Sequence, residues 1–343
     1  MTVEYVPLGR SGLKVSRLCL GTMNFGNESW GCDEPTSAKI IDRFLEAGNN
    51  FIDTANVYAG GRSEEIVGRA IAVRRDEVVL ATKGFNPQEG TGPNDRGNSR
   101  VNLTRSLDAS LRRLGTDFVD LYQVHSYDHS TPLEETMATL DDFVRAGKVR
   151  YIGCSNWLAS QIVEGQWAAS QRGDAPLVSL QPQYSLIVRD IELDVLPTAQ
   201  RHGLGVIVWS PLGGGLLTGK HTKDSSPSDS RFGKVAEGDV WEMMRRALFT
   251  DKNFEIVDAV GRAASQLGTT HTAVAVAWTL ARPGVTSSII GPRTVEQLED
   301  NLTAGDLKLD ELITRRYRLE EVNQGYQDML DGKNIRGILV HEH

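Results

Sequence analysis

Cysteine is scarce in this 343-residue chain: Cys19, Cys32 and Cys154 are odd in number and sit in no pairing motif. A disulfide scaffold is therefore not expected, and a reducing, cytoplasmic location is. Basic residues run no further than pairs such as Arg74-Arg75 and Arg112-Arg113, and 37 Lys and Arg stand against 45 Asp and Glu for a formal charge of −8. That balance argues against a nucleic-acid or anionic-membrane surface, so any bound anion must be met by a few placed groups. No apolar stretch approaches the roughly eighteen residues of a membrane span, and Met1-Thr2-Val3-Glu4-Tyr5 lacks the basic flank and apolar core of a signal peptide. Also missing is Gly-x-Gly-x-x-Gly. The cluster Gly213-Gly214-Gly215-Leu216-Leu217-Thr218-Gly219 has the wrong spacing and lies late in the chain, which counts against an open doubly wound sheet.

What is present is ordinary in bulk, with 40% hydrophobic and 24% charged residues, enough for one domain over residues 1–343 with a full core. Eight short β-rich runs occur, around 17–21, 50–53, 77–82, 118–124, 149–154, 177–181, 205–209 and 286–290. Helical patterns separate most of them. Ser37 to Gly48 places Ile40, Ile41, Phe44 and Leu45 on one face, and the same grammar recurs from Leu103 to Gly115, Leu133 to Gly147 and Leu193 to Gly203. Eight strands alternating with helices predict a (β/α)8 barrel, with the open sheet as the alternative. Tyr5 to Leu8 and Leu13 to Ser16 flank Gly9-Arg10-Ser11-Gly12 and predict a hairpin capping the barrel floor. The connection after the seventh strand, from Ser210 to about Thr286, is long. Its Ser/Asp/Pro/Gly-rich piece at 222–239 reads as a mobile lid or binding loop, followed by helices near 254–267 and 271–281. Residues 304–343 read as a C-terminal helix and tail, with no metal site in His341-Glu342-His343.

Barrel enzymes carry their chemistry where strands end and loops begin. The residues there are Gly21-Thr22-Met23, Asp53, Lys83, His125, Ser155-Asn156, Gln181, Trp209-Ser210 and Gly291-Pro292-Arg293, with Tyr58 on the loop after the second strand. Each alone has a plainer reading: a turn-forming aspartate, a solvated lysine, a satisfied core histidine, a packed tyrosine. Together they fit carbonyl reduction. Hydride arriving at a carbonyl carbon leaves charge on oxygen, which an acid must protonate as it develops. Tyr58 is the expected acid and Lys83 the cation that lowers its pKa. Asp53 holds Lys83, and His125 orients the carbonyl. The hydride must come from a cofactor, because no side chain supplies one.

Seven ordered blocks closely resemble the aldo-keto reductases over residues 4–303: Gly21 to Gly26, Phe51 to Tyr58, Ala81 to Lys83, Gln123 to His125, Gly153 to Asn156, Trp209 to Leu212 and Ile290 to Arg293. Trp209-Ser210-Pro211-Leu212 and Gly213 to Lys220 are most similar to reductases akin to potassium-channel β subunits. The resemblance implies NADP(H) across the barrel mouth and a small aldehyde or ketone substrate. It gives Asp53, Tyr58, Lys83 and His125 the roles above, and lists Gly21, Thr22, Met23, Asp53, Pro211 and Gly291 among the cofactor contacts. Ser155, Asn156 and Gln181 would bind the carboxamide, and Trp209 would stack on the ring. Ser210, Leu212, Gly214 and Lys220 would lie along the pyrophosphate, where glycine-rich backbone N–H groups suit phosphate oxygens. Arg231 is either a clamp on that pyrophosphate or a solvated loop charge. Arg293, Gln297, Asp300 and Asn301 match the adenosine end, Arg293 favouring a 2′-phosphate. Channel β subunits carry asparagine where this chain has His125, so the full tetrad favours an enzyme over a redox-sensing regulator. Met23, Trp30, Tyr58, Phe85, His125 and Tyr127, with Trp157, are the expected substrate wall, or else loop packing.

Overall fold

A computed structural model describes residues 3–27, 29–87, 90, 92–228, 230–233, 240–307, 313–330 and 336–340. Asp331-Gly332-Lys333, His341-Glu342-His343 and, within the 222–239 loop, Asp229 and residues 234–239 lie outside the described residues. The chain opens with the expected hairpin, β1 (Tyr5–Pro7) against β2 (Lys14–Ser16). Eight parallel strands then close on themselves: β3 (Leu18–Gly21), β4 (Phe51–Asp53), β5 (Val79–Gly84), β6 (Val119–Val124), β7 (Val149–Ser155), β8 (Leu177–Gln181), β9 (Gly205–Val208) and β10 (Val285–Ile290), with β10 pairing β3. Each lies within two residues of the run read from the sequence. The fold is the (β/α)8 barrel.

Alternation along the strands divides the apolar residues between two cores. Cys19, Phe51, Val79, Ala81, Leu121 and Ile207 turn inward and pack with Leu8 and Val15 of the hairpin, which closes the floor. Leu18, Leu20, Ile52, Leu80, Tyr122, Ile152, Leu180 and Val206 turn outward into the layer beneath the helices. Both faces are buried, so these strands read as near-continuous hydrophobic runs.

The helices are α1 (Glu34–Glu46), α2 (Arg62–Ile71), α3 (Arg100–Leu114), α4 (Leu133–Arg145), α5 (Ala159–Arg172), α6 (Val195–His202), α7 (Val240–Leu248), α8 (Asp251–Leu267), α9 (His271–Leu280) and α10 (Val295–Leu302). Side-chain caps set several starts: Asp33 accepts from Thr36 N, Ser99 from Asn102 N, Thr270 from Ala273 N and Thr294 from Gln297 N.

The C-terminal region differs from the expected helix and tail. β11 (Ile313–Arg318) and β12 (Arg336–Val340) form a two-stranded parallel sheet, and α11 (Val322–Leu330) lies between them in the chain. Parallel neighbours need a crossover, which α11 supplies. Tyr317 Oη donates to Asp328 Oδ2 at 2.9 Å and ties helix to strand. Arginine-rich β11 offers little hydrophobic signal, which is why the pairing is hidden in the sequence.

Register across the barrel aligns Lys83 with Gln123, Gln123 with Gly153, and Gly153 with Ser179, one row through β5, β6, β7 and β8. Gly153 is there because a Cβ at that position would stand 2.0 Å from Ser179 Oγ. Gly153→Ala is expected to lower stability by about 1–3 kcal/mol through overpacking, read as a reduced urea midpoint at unchanged m-value.

Candidate active site

The strand ends deliver four groups to one place. Asp53 ends β4, Lys83 is the penultimate residue of β5, and His125 follows β6 directly. Tyr58 opens a 3-10 turn, Tyr58–Gly61, in which Ala59, Gly60 and Gly61 have φ of 49°, 63° and 95°. Holding Ala59 left-handed costs roughly 1–2 kcal/mol, a strain of the kind found at functional loops.

Lys83 is the hub. Its Nζ lies 2.5 Å from Asp53 Oδ2, 2.8 Å from Thr54 O and 3.3 Å from Tyr58 Oη, and 5.0 Å from the centre of the Tyr58 ring. Both charged partners are buried, so the pair needs its remaining hydrogen-bonding capacity filled. The other oxygen of Asp53, Oδ1, accepts from Gln181 Nε2 at 2.8 Å and from Gln123 Nε2 at 3.4 Å. Burial pushes the Lys83 ammonium down, but Asp53 and Tyr58 outweigh it and hold it charged, above its ordinary value. Tyr58 moves the other way from expectation. Lys83 does stabilise its phenolate, yet burial is the larger influence and raises the phenol above its usual value.

His125 presents its ring edge-on to Tyr58, centroids 5.9 Å apart at 82°. Its backbone N–H donates to Gly84 O at 2.9 Å, while Nδ1 is buried without a partner. Burial, then the Lys83 charge, lowers the imidazole to about 3, so it is neutral at physiological pH.

Tyr58 and His125 open into a cleft of about 630 Å³ across the barrel mouth. Gly21, Thr22, Met23, Asp53, Ser155, Asn156, Gln181, Trp209, Ser210, Pro211, Leu212, Gly214, Lys220, Arg231, Gly291, Arg293, Gln297, Asp300 and Asn301 line it, as does Trp30. Lys83 stands behind Asp53 and Tyr58, fully buried. Three residues of the expected substrate wall do not line the cleft. Phe85 is buried under Arg96, whose guanidinium lies 5.2 Å from its ring. Tyr127 packs edge-on against Trp157 at 5.2 Å, and Trp157 belongs to the main core. Aromatic residues in loops pack inward as readily as they face a ligand, and composition does not separate the two. Trp241 and Met244 of α7 do line the cleft. Their i, i+3 spacing after the long loop was the available signal.

Several groups are already engaged with each other. Asn156 Nδ2 donates to His125 O at 3.1 Å, and its Oδ1 accepts from Trp209 Nε1 at 3.0 Å. Ser155 Oγ donates to Gln181 O at 2.7 Å. Asn156 and Ser210 both hold left-handed backbone, at φ 60° and 58°. The glycine-rich turn departs from the expected phosphate cradle. N–H groups of Gly213, Gly214 and Gly215 donate to Ser210 O, Ser210 Oγ and Leu212 O at 2.9–3.0 Å and are turned onto the turn itself.

At the far end the Arg231 guanidinium packs on two indoles that meet each other edge to face, 4.3 Å from the Trp30 ring and 4.4 Å from that of Trp241. Its Nε is buried without a partner, and burial, with Arg293 nearby, lowers it to about 10. Arg293 N donates to Gln297 Oε1 at 2.9 Å, its guanidinium reaches Trp30 O at 3.3 Å, and Asp300 Oδ1 accepts from Thr270 at 2.6 Å. Asn301 Oδ1 is a buried acceptor with no donor.

The model of the aldo/keto reductase family matches residues 17–316. The chain belongs to this family. Among its relatives are an uncharacterized oxidoreductase, YrpG, of Bacillus subtilis (strain 168), 43% identical with 91% of this chain and 94% of that protein covered. A probable voltage-gated potassium channel subunit beta of Arabidopsis thaliana is 40% identical, covering 89% and 92%. A norsolorinic acid reductase of Aspergillus flavus is 37% identical, covering 88% and 76%. Family membership and these oxidoreductase relatives support an oxidoreductase, and the family generally uses NAD(P)H and acts on small carbonyl compounds. Among the described residues no helix is long and apolar enough to cross a membrane, and no group of His, Cys, Asp and Glu could hold a metal ion.

The ion pair at the hub generates a stability test. Lys83→Met leaves the Asp53 carboxylate buried and is expected to cost about 3–5 kcal/mol. Asp53→Asn combined with Lys83→Met should recover a large part of that loss in urea unfolding.

Proposed function

We propose that this aldo-keto reductase reduces aldehydes or ketones to alcohols with NADPH, with Tyr58 as general acid, Lys83 and Asp53 tuning it, and His125 orienting the carbonyl. The observation that carries the reading is the chain Asp53–Lys83–Tyr58, with the unpartnered Nδ1 of His125 beside it, at one end of a cleft that holds two guanidinium groups at the other.

The cleft suits a dinucleotide in size and in unmet polar atoms. About 630 Å³ is within the usual range for small-molecule sites. His125 Nδ1, Arg231 Nε and Asn301 Oδ1 are buried orphans along one cavity, groups that a ligand can satisfy. Ser155, Asn156 and Gln181 would hold the carboxamide, and Trp209 would stack on the ring, while Gly21, Thr22, Met23, Pro211 and Gly291 give shape. Ser210, Leu212, Gly214, Lys220 and Arg231 would lie along the pyrophosphate. Because the glycine N–H groups are engaged within their turn, charge there falls mainly to Lys220 and Arg231. The Arg293 charge, after burial, disfavours that of Arg231, and an anion beside Arg231 offsets that. Arg293, Gln297, Asp300 and Asn301 would take the adenosine end with its 2′-phosphate. When bound, the nicotinamide supplies the hydride.

The raised phenol is compatible with acid catalysis. Tyr58 stays protonated through neutral pH, and an alkoxide forming on a reduced carbonyl is a far stronger base than a phenolate, so the proton moves downhill. Lys83 then stabilises the phenolate until solvent reprotonates it. Neutral His125 offers one ring N–H to the carbonyl oxygen and carries no charge that would compete with the proton transfer. Of Met23, Trp30, Trp241 and Met244, which line the cleft, Trp30 and Trp241 are taken up by Arg231 at the far end, which leaves Met23 and Met244 to offer apolar surface to a carbonyl substrate. A second reading, a nicotinamide-binding redox regulator with little turnover, draws on the likeness to channel β subunits. Tight NADPH binding without turnover of any aldehyde in a panel would favour it.

Tyr58→Phe is expected to lower kcat about 10²–10⁴-fold, measured as loss of NADPH absorbance, with NADPH affinity retained. Equal turnover by the variant would rule out the acid assignment. The sign of the pH dependence follows from the raised phenol. Reduction needs the protonated form and should stay level from pH 6 to 9, whereas alcohol oxidation needs phenolate and should rise with pH across that window. Arg293→Ala should weaken NADP(H) more than NAD(H) in a binding titration, and an unchanged ratio would remove the 2′-phosphate assignment.

A further inference from the structure

Asp53 is held from two sides by two amides of different standing. Gln181, at 2.8 Å from Oδ1, lines the cleft and is reachable by a ligand. Gln123, at 3.4 Å from the same oxygen, is fully buried in the row beneath and does not line the cleft. Its amide orientation is decided by its other neighbour. Ser179 Oγ donates to Gln123 Oε1 at 3.3 Å, which turns the Gln123 NH₂ toward the carboxylate. Space for this contact exists because Gly153, between the two in register, has no Cβ; one there would stand 2.0 Å from Ser179 Oγ and 3.3 Å from Gln123 Cγ.

We propose that Gln123 is a positioning residue for the reduction: from beneath the cleft its amide keeps Asp53 aimed at Lys83 while Gln181 is engaged by the cofactor. The inference rests on the cleft being a nicotinamide site. A buried carboxylate has about four acceptor positions and tolerates none of its partners being withdrawn without replacement. Once the cofactor's carboxamide competes for Gln181, Oδ1 keeps a single side-chain donor, Gln123, among those seen in this structure. The long 3.4 Å contact is the one that shortens as Asp53 is released from Gln181. Without Gln123 the carboxylate swings, Lys83 follows it, and the Lys83 contact to Tyr58 Oη loosens. The phenolate then loses part of its stabilising cation, so the proton leaves Tyr58 less readily.

The test uses the full-length chain with Gln123→Leu and Ser179→Ala, with 4-nitrobenzaldehyde and 4-nitrobenzyl alcohol as probes. NADPH affinity, read from quenching of tryptophan fluorescence, should stay within about twofold. The single-turnover rate of NADPH oxidation should fall about tenfold or more in Gln123→Leu, the scale of a small misplacement of a catalytic group, and less in Ser179→Ala. The rising limb of alcohol oxidation should move to higher pH in both, a change that lost packing alone does not produce. Unaltered rate and limb in Gln123→Leu overturn the proposal, as does a loss confined to NADPH affinity. If Gln123→Leu does not fold, an unshifted limb in Ser179→Ala overturns it. Should Tyr58→Phe turn over like the wild type, the reductase reading itself fails, a result separate from an inert Gln123→Leu beside a dead Tyr58→Phe.

Discussion

The buried ion pair between Lys83 and Asp53, 2.5 Å apart, is the constraint on which the rest of the site depends. Two charges removed from water are costly unless every remaining lone pair and proton finds a partner. The barrel supplies those partners from separate strands and one loop: Gln123 from β6, Gln181 from β8, the Thr54 carbonyl and the Tyr58 hydroxyl. Thr54 and Tyr58 follow Asp53 in one stretch of chain, but Lys83, Gln123 and Gln181 lie 30, 70 and 128 residues from it, and closure of the sheet is what brings them to one point.

Around that pair, burial and charge compete with different results. At Lys83 the neighbouring anion wins and the ammonium stays charged; at Tyr58 and His125 burial wins and the neutral forms persist. The result is a neutral phenol and a neutral imidazole beside a fixed cation. Such a set can release one proton to a strong base, leave a phenolate whose charge the fixed cation stabilises, and take the proton back from solvent. The far end of the cleft is organised differently. There Arg231 packs on both Trp30 and Trp241, which meet edge to face, and Arg231 and Trp241 come from the long connection after β9.

Much of the architecture was legible. Strands such as Phe51–Asp53 and Val119–Val124 announce themselves because both faces are buried and their apolar runs are bounded by turn residues. Helix bodies were visible in the apolar period, as at Ile40, Ile41, Phe44 and Leu45, although the first helix starts at Glu34 behind the Asp33 cap rather than at Ser37. Less was legible at the periphery. The strands Ile313–Arg318 and Arg336–Val340 pair with one another outside the barrel sheet, and the first is rich in arginine, so no hydrophobic period marks their partnership. Phe85, Tyr127 and Trp157 gave the same signal as cleft aromatics yet pack inward, while Trp241 and Met244 reach the cleft from a helix.

The sequence by itself determined the alternation of strands and helices and which polar residues stand at strand ends, because local period and turn chemistry are properties of neighbours along the chain. Tertiary structure alone decided which of two opposing forces prevails at each group. Tyr58 beside a lysine reads as an acidified phenol, and only burial within the closed barrel reverses that sign. A glycine-rich turn reads as a phosphate cradle, and only its folded conformation turns the N–H groups of Gly213, Gly214 and Gly215 inward. Desolvation and hydrogen-bond direction depend on what surrounds an atom in three dimensions, and no local pattern of residues encodes that.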